Sequence, residues 1–195
     1  MDFNRPATPA EVTPAQLALL VIDLQVAYLD GGVLEEHRER LVERTNALIR
    51  WARERGSPVV VVRTEHRRDR STWTLNMCED DQGFAFTGDP DAQFVPELDV
   101  AGARELVKTR DSAFVRTDLA DWLAGWGTRA LVVCGVSTHT CVATTVAEAY
   151  ARDLDVFLAV DAIASHRPAW HDLALDLLRS EYRLHTPTTD EIVGG

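Results

Sequence analysis

A cysteine lies where a predicted strand passes into a predicted helix, in the segment 132–142. An apolar run ends at Gly135, a short polar turn follows, and Cys141 comes in the first turn of the helical pattern. The free amide groups of a helix start favour a thiolate, lowering the pKa of a cysteine below its usual value of about 8.5. The same amides can hold a developing oxyanion. This placement predicts Cys141 as a nucleophile, whereas Cys78 and Cys134 have no such position.

Two further residues offer the groups that a cysteine nucleophile needs. Asp23 follows the apolar run 17–22, so its carboxylate would be partly desolvated and could act as a general base. Lys108 follows a short apolar strand and could stabilise both a carboxylate and a thiolate. Alone, such residues are more typical of a turn, a solvated charge or a small core side chain. Their joint position at three strand ends favours a catalytic role.

The elements that must position these residues alternate along the chain. Apolar runs predict strands at 17–22, 59–62, 104–107, 130–134, 156–160 and 182–185, and helical periods predict helices at 35–55, 119–126, 138–152 and 170–180. This alternation predicts an α/β fold of three αβα layers, with a mostly parallel sheet in the middle, in a single domain 1–195. Such sheets bind ligands at the carboxyl ends of their strands.

The segment 65–98 has no clear period, although it is rich in large apolar side chains. A loop of this length in a compact domain is usually functional or disordered. We expect it to cover the site. The alternative is that its aromatic residues pad the flank of the sheet or a subunit contact.

Composition limits the classes of partner. The net charge of −11 and the isoelectric point of about 4.9 argue against nucleic acid and against an anionic membrane surface. No apolar run reaches the roughly 18–20 residues of a membrane span. Three cysteines without the spacing of a disulfide framework predict reduced thiols and a cytoplasmic location.

Three segments carry a resemblance to a known family. They are Leu20-Val21-Ile22-Asp23-Leu24-Gln25, then Val107-Lys108-Thr109-Arg110-Asp111-Ser112-Ala113-Phe114, then Gly135-Val136-Ser137-Thr138-His139-Thr140-Cys141-Val142. In this order and spacing the chain resembles the isochorismatase-like cysteine hydrolases, which include nicotinamidases, carbamoylsarcosine amidohydrolases and ureidoacrylate amidohydrolases. The resemblance implies a Rossmann-like sheet of six strands in the order 3-2-1-4-5-6.

The resemblance also implies roles for individual residues. Asp23 would be the general base, Lys108 the middle member of a triad and Cys141 the nucleophile. A cis peptide bond between Val136 and Ser137 would turn the Ser137 N–H toward the substrate, beside the Cys141 N–H, to form an oxyanion hole. Lys108 would come from a strand two places away, roughly 10 Å off, and would have to reach inward.

The chain departs from two branches of this family. Nicotinamidases carry an Asp-x-His pair that binds a divalent metal, but the stretch 63–69 has adjacent Glu65 and His66 instead. We therefore expect neither a metal nor another cofactor, and we interpret His66 as a surface or loop residue. True isochorismatases cleave a vinyl ether without a cysteine at the nucleophile position, so the presence of Cys141 favours hydrolysis of a C–N bond, in an amide or ureido group of a small molecule. The alternatives are an ether or ester hydrolase and a binding protein without catalysis.

The substrate pocket and the assembly are the remaining expectations. Arg110 could bind a substrate carboxylate or pair with Asp111 or Glu105, while His166, His171 and His185 are interpreted as structural or exposed. Family members are commonly oligomers, so we expect a homodimer or homotetramer, with 73–86 as a contact. Candidates for the pocket are Tyr28, Trp73, Asn76, Phe84, Phe114 and His139.

Overall fold

The computed structural model describes residues 5–31 and 34–195. Residues 1–4 and 32–33, which belong to the predicted domain 1–195, lie outside the described residues. In the part that is described, no helix is long and apolar enough to cross a membrane.

A parallel sheet forms the centre of the molecule. Its strands lie in the order β3-β2-β1-β4-β5, and all four pairings are parallel. Every residue of β1 and of β4 is buried, because helices cover both faces of the sheet at these positions. The strands are β1 (Leu17–Ile22), β2 (Val59–Thr64), β3 (Arg104–Lys108), β4 (Ala130–Val136) and β5 (Asp155–Ala164).

The expected sixth strand is wrong for the described residues, whose sheet has five strands. Only an isolated parallel bridge joins His185 to Phe157. The Leu158 amide donates to the His185 carbonyl at 2.9 Å, and the Val160 amide donates to the Pro187 carbonyl at 3.0 Å. Pro187 accepts a hydrogen bond from β5 but has no N–H to donate one in return. The pairing with β5 therefore ends here, and the chain enters a helix.

Two helical layers cover the sheet. On one face, α2 and α7 pack against a core that includes Leu19 and Val21, and on the other face α4, α5 and α6 pack against a core that includes Leu20 and Ile22. Alternate residues of one strand thus supply both cores. The helices are α1 (Val26–Leu29), α2 (Arg38–Arg55), α3 (Leu75–Asp80), α4 (Leu119–Trp126), α5 (Ala143–Ala151), α6 (Pro168–Ser180) and α7 (Thr189–Val193).

The predicted helix 138–152 divides into two parts. Thr138–Val142 is a single π-helical turn, and α5 begins only at Ala143. The predicted helix 35–55 likewise begins with a 3₁₀ turn, Glu35–His37, and ends at Gly56, whose φ of 75° is typical of a helix C-terminus. The predicted loop 65–98 contains only α3 and the 3₁₀ turn Pro90–Ala92.

Candidate active site

The carboxylate of Asp23 lies directly beyond the end of β1. Asp23 has a positive φ of 54°, and its amide donates to the Val62 carbonyl of β2 at 2.9 Å. At the preceding residue, Ile22 is in register with Gly135 of β4. The neighbouring strands therefore fix the backbone of Asp23, and its side chain is only 1% exposed.

Lys108 is the last residue of β3, and its side chain reaches inward across β2. Its Nζ lies 2.8 Å from Asp23 Oδ2 and 3.3 Å from Cys141 Sγ. The amine is 1% exposed. The strand order places Lys108 of β3 two strands away from β1, and the long lysine side chain spans this distance to Asp23.

Thr64 completes this network, although no motif in the sequence marks it. It is the last residue of β2 and pairs in register with Lys108. Its Oγ1 accepts a hydrogen bond from Lys108 Nζ at 2.7 Å and donates one to Asp23 Oδ1 at 3.1 Å. The signal that could have found it is its position, at the same strand edge as the two charged residues.

The surroundings of Cys141 favour its protonated thiol. Burial raises the pKa of Cys141 to about 12, and the charge of Asp23 acts in the same direction, while Lys108 opposes it. The expected lowering of this pKa is therefore wrong, because Cys141 lies in a buried π turn rather than at an open α-helix start. Burial also lowers the pKa of Lys108, but the charge of Asp23 and the hydrogen bonds to Asp23 and Cys141 outweigh it, so the pKa of Lys108 is raised and the amine is charged.

The turn between β4 and α5 carries Ser137 and Cys141. The peptide bond between Val136 and Ser137 is cis. The amides of Thr140 and Val142 donate to the Ser137 carbonyl at 3.1 and 3.2 Å, so this carbonyl is directed into the turn. Both Ser137 and Cys141 line the cavity described next.

A cavity of about 420 Å³ opens above the sulfur. Of the predicted pocket residues, Tyr28, Asn76 and Phe84 line it. Burial, together with the charge of Asp23, raises the pKa of Tyr28, so its phenol is a neutral part of the wall. The lining is formed by Tyr28, Thr64, His66, Thr74, Asn76, Met77, Phe84, Lys108, Thr109, Arg110, Asp111, Ser137, Thr140, Cys141 and His166.

The other three predicted pocket residues lie elsewhere. Trp73 Nε1 donates to the Arg67 carbonyl at 2.9 Å, which holds the indole within its own loop. Phe114 is 4% exposed and belongs to the core on the α5 side of the sheet. His139 Nδ1 contacts Ser165 Oγ at 2.7 Å. Each side chain has found packing or polar partners away from the cavity.

His66 lies in the loop after β2, as one half of its interpretation has it, but it is buried and lines the cavity, so the surface half is wrong. Its Nδ1 lies 3.1 Å from the Thr72 carbonyl, and since a carbonyl only accepts, Nδ1 carries the proton. Burial lowers the pKa of His66, and nearby Arg110 and Lys108 act in the same direction. The ring is therefore neutral and Nε2 is an acceptor. Among the residues described, no three His, Cys, Asp or Glu side chains form a group that could hold a metal ion.

Arg110 and His166 also line the cavity. Arg110 Nη1 donates to the Thr72 carbonyl at 2.7 Å and to the Thr109 carbonyl at 2.5 Å. Of the two alternatives for Arg110, a pair with Asp111 or Glu105 is therefore not formed. His166 Nδ1 lies 3.4 Å from Ser137 Oγ, so this histidine is part of the site rather than merely exposed. His171 Nδ1 contacts Thr138 Oγ1 at 2.9 Å, in agreement with a structural role.

Comparison with known proteins shows the family of the chain. The family model of the isochorismatase domain matches residues 17–191. The phenazine biosynthesis protein PhzD1 of Pseudomonas aeruginosa is 33% identical over 183 residues, covering 92% of this chain and 86% of that protein. A probable isochorismatase of Pseudomonas chlororaphis is 30% identical over 184 residues, covering 93% of this chain and 87% of that protein.

Among solved structures, N-carbamoylsarcosine amidase from Thermoplasma acidophilum superposes with a TM-score of 0.79 at 26% identity, covering 91% of this chain and 98% of that chain. The matches thus include both an amidase and a probable isochorismatase. The family model spans most of the chain and ends within α7. This protein belongs to the isochorismatase-like hydrolase family.

Proposed function

We propose that this protein is a cysteine-dependent hydrolase that cleaves a C–N bond, in an amide or ureido group of a small molecule, through a thioester intermediate. The observation that carries the proposal is the buried chain of contacts from Asp23 through Lys108 to Cys141 Sγ. Its sulfur end faces a cavity whose volume is in the range of small-molecule sites, about 300–1,000 Å³.

The geometry suggests how the thiol becomes a nucleophile. In the free enzyme Cys141 keeps its proton, and the buried carboxylate of Asp23 is in contact with Lys108, which also contacts the sulfur. As Sγ attacks the substrate carbonyl, its proton passes to Asp23, so the sulfur loses its proton while the S–C bond forms and the negative charge develops on the carbonyl oxygen. Lys108 remains protonated throughout and balances the negative charge of either Asp23 or the sulfur.

The next steps complete an acyl transfer. The carbonyl oxygen becomes an oxyanion that the N–H groups of Ser137 and Cys141 stabilise. The C–N bond then breaks, and the leaving nitrogen takes the proton from Asp23 and departs as ammonia or an amine. Water attacks the thioester, with Asp23 as the base, and restores the thiol.

An alternative reading follows from the relative described as a probable isochorismatase. Hydrolysis of an ether needs no thioester, and its product contains no ammonia. The presence of a thiol in contact with Lys108 favours the C–N reading, because ether cleavage would leave this sulfur without a role.

The direct test measures ammonia released from small primary amides and ureido compounds. Cys141→Ala should abolish release and Cys78→Ser should not, because Cys78 is exposed and does not line the cavity. Rapid acid quenching followed by mass spectrometry should show the mass of the acyl group on Cys141. Turnover that continues in Cys141→Ala without ammonia would favour the ether or ester hydrolase. A ligand that raises Tm without forming any product would favour the binding protein.

A further inference from the structure

A second carboxylate lies beside the nucleophile. Asp111 Oδ1 is 4.0 Å from Cys141 Sγ, and Asp111 lines the cavity. Asp23, the expected base, is 1% exposed and is not part of the cavity wall. The sulfur therefore has one carboxylate on its buried side and another on the side from which a substrate arrives.

The charge of Asp111 is not neutralised by an ion pair. No Lys, Arg or His side chain in residues 5–31 and 34–195 is within ion-pair distance of its carboxylate. The adjacent Arg110 directs Nη1 to the carbonyls of Thr72 and Thr109 instead. A carboxylate that faces a cavity without a cation is an acceptor available to a ligand.

The geometry of attack limits which substrate atom can reach this acceptor. A carbonyl carbon poised for attack lies about 3–3.5 Å from Sγ. Its oxygen must point to the amides of Ser137 and Cys141, where an oxyanion would form. A second substituent on the same carbon is the leaving group. The carboxylate oxygen of Asp111, 4.0 Å from the sulfur, is close enough to accept a hydrogen bond from this leaving group.

We propose that Asp111 accepts an N–H hydrogen bond from the nitrogen of the scissile C–N bond and thereby selects primary amides and ureido groups over esters. This inference rests on the proposed C–N hydrolysis. An ester places an oxygen without hydrogen at the same position, where its lone pairs face the carboxylate. A substrate with its own carboxylate next to the scissile carbonyl is disfavoured by repulsion. Asp111 neither gives nor takes a proton in the proposed cycle, because the proton that the leaving nitrogen takes comes from Asp23.

The test compares matched amides and esters that share one acyl group and thus one thioester. Suitable probes are benzamide with methyl benzoate, and acetamide with methyl acetate. Asp111→Ala should lower kcat/KM for the amide about 10- to 100-fold, the range for a lost hydrogen bond to a charged group, and should change the ester rate by less than about threefold. Asp111→Asn keeps an acceptor oxygen, so its kcat/KM for the amide should lie between that of the wild type and that of Asp111→Ala.

The outcomes separate this inference from the proposed function. If the wild type releases ammonia but Asp111→Ala lowers the amide and ester rates equally, Asp111 does not contact the leaving nitrogen and only this inference fails. If the wild type releases no ammonia from any amide in the panel while Cys141→Ala leaves ester turnover intact, the proposed function itself fails.

A second readout needs no substrate. The charged groups around the thiol are Asp23, Lys108 and Asp111, and only the last is changed in Asp111→Asn. In a Cys78→Ser background, the rate of Cys141 alkylation by iodoacetamide should therefore rise at a lower pH in Asp111→Asn, since a negative charge near the sulfur is removed. An unchanged pH profile would mean that Asp111 does not lie beside the sulfur, and it would overturn the inference.

Discussion

Lys108 Nζ lies 2.8 Å from Asp23 Oδ2, and each of these side chains is only 1% exposed. An ion pair this deeply buried is not retained for stability, because hydrophobic residues of similar volume are often as stable. Removing only one partner of the pair destabilises the fold, since it leaves an uncompensated buried charge. The pair is therefore better explained by the reaction, in which the lysine holds the base and the sulfur in one charge-balanced group.

The first prediction concerns this pair. Lys108→Met should destabilise the fold by about 3–5 kcal/mol, because the Asp23 carboxylate loses its cation, and should abolish C–N hydrolysis. Urea denaturation at neutral pH measures the first effect. The double variant Asp23→Asn with Lys108→Met removes both charges and should recover most of the lost stability while remaining inactive. A cost below about 1 kcal/mol for the single variant would contradict a buried ionic contact.

The second prediction concerns Thr64, whose hydroxyl joins both charged groups. Thr64→Val keeps the shape but leaves Lys108 and Asp23 each without one hydrogen-bond partner. We expect a loss of about 1–3 kcal/mol in stability and a lower kcat, while KM changes little because the hydroxyl acts through the triad. Thr64→Ser is the matched control and should keep most of the activity. If Thr64→Val and Thr64→Ser have the same stability and the same kcat, the hydroxyl has no positioning role.

The third prediction reverses an expectation from the sequence. The raised pKa of Cys141 keeps its sulfur protonated at neutral pH, so the thiolate fraction grows only as the pH rises toward about 12. At neutral pH iodoacetamide should therefore modify exposed Cys78 before Cys141. Peptide mass spectrometry after timed quenching gives both rates. Faster modification of Cys141 at pH 7 would show that the thiolate already predominates in the free enzyme.

The position of the three central residues could be predicted because each one lies at or after the carboxyl end of a strand in one parallel sheet. In a parallel sheet those ends share one edge, so Asp23 and Lys108 had to lie near the turn that carries Cys141. Burial along β1 and β4 follows from their continuous apolar runs. These features depend only on local sequence and on sheet geometry.

The cavity wall could not be predicted in the same way. The loop 65–98 has no period, so nothing in the sequence distinguishes His66, which faces the cavity, from Trp73, which bonds within the loop. The raised pKa of Cys141 arises from burial by segments that are distant in sequence, so the position of Cys141 near a helix start does not reveal it. The sixth strand does not form beside β5, because Pro187, just beyond the predicted range 182–185, has no N–H to continue the pairing.

The last prediction concerns the contact that fixes the end of β1. Gly135 has a φ of 117°, and a Cβ at this position would overlap the carbonyl of Ile22, with the Ile22 nitrogen and carbonyl carbon each at 2.7 Å. Gly135→Ala should therefore push β4 away from β1 immediately before Asp23. Since overpacking and a strained φ each cost about 1–3 kcal/mol, we expect about 3 kcal/mol or more of destabilisation, together with loss of activity.

Gly125 in α4 provides the control for this substitution. A Cβ at Gly125 would meet nothing within 4 Å, and the residue lies inside a helix, so Gly125→Ala should stabilise the fold by up to about 1 kcal/mol. Urea denaturation of both variants gives the comparison. If Gly135→Ala folds with the stability of Gly125→Ala and retains activity, then close contact between β4 and Ile22 is not what holds Asp23 beneath the sulfur.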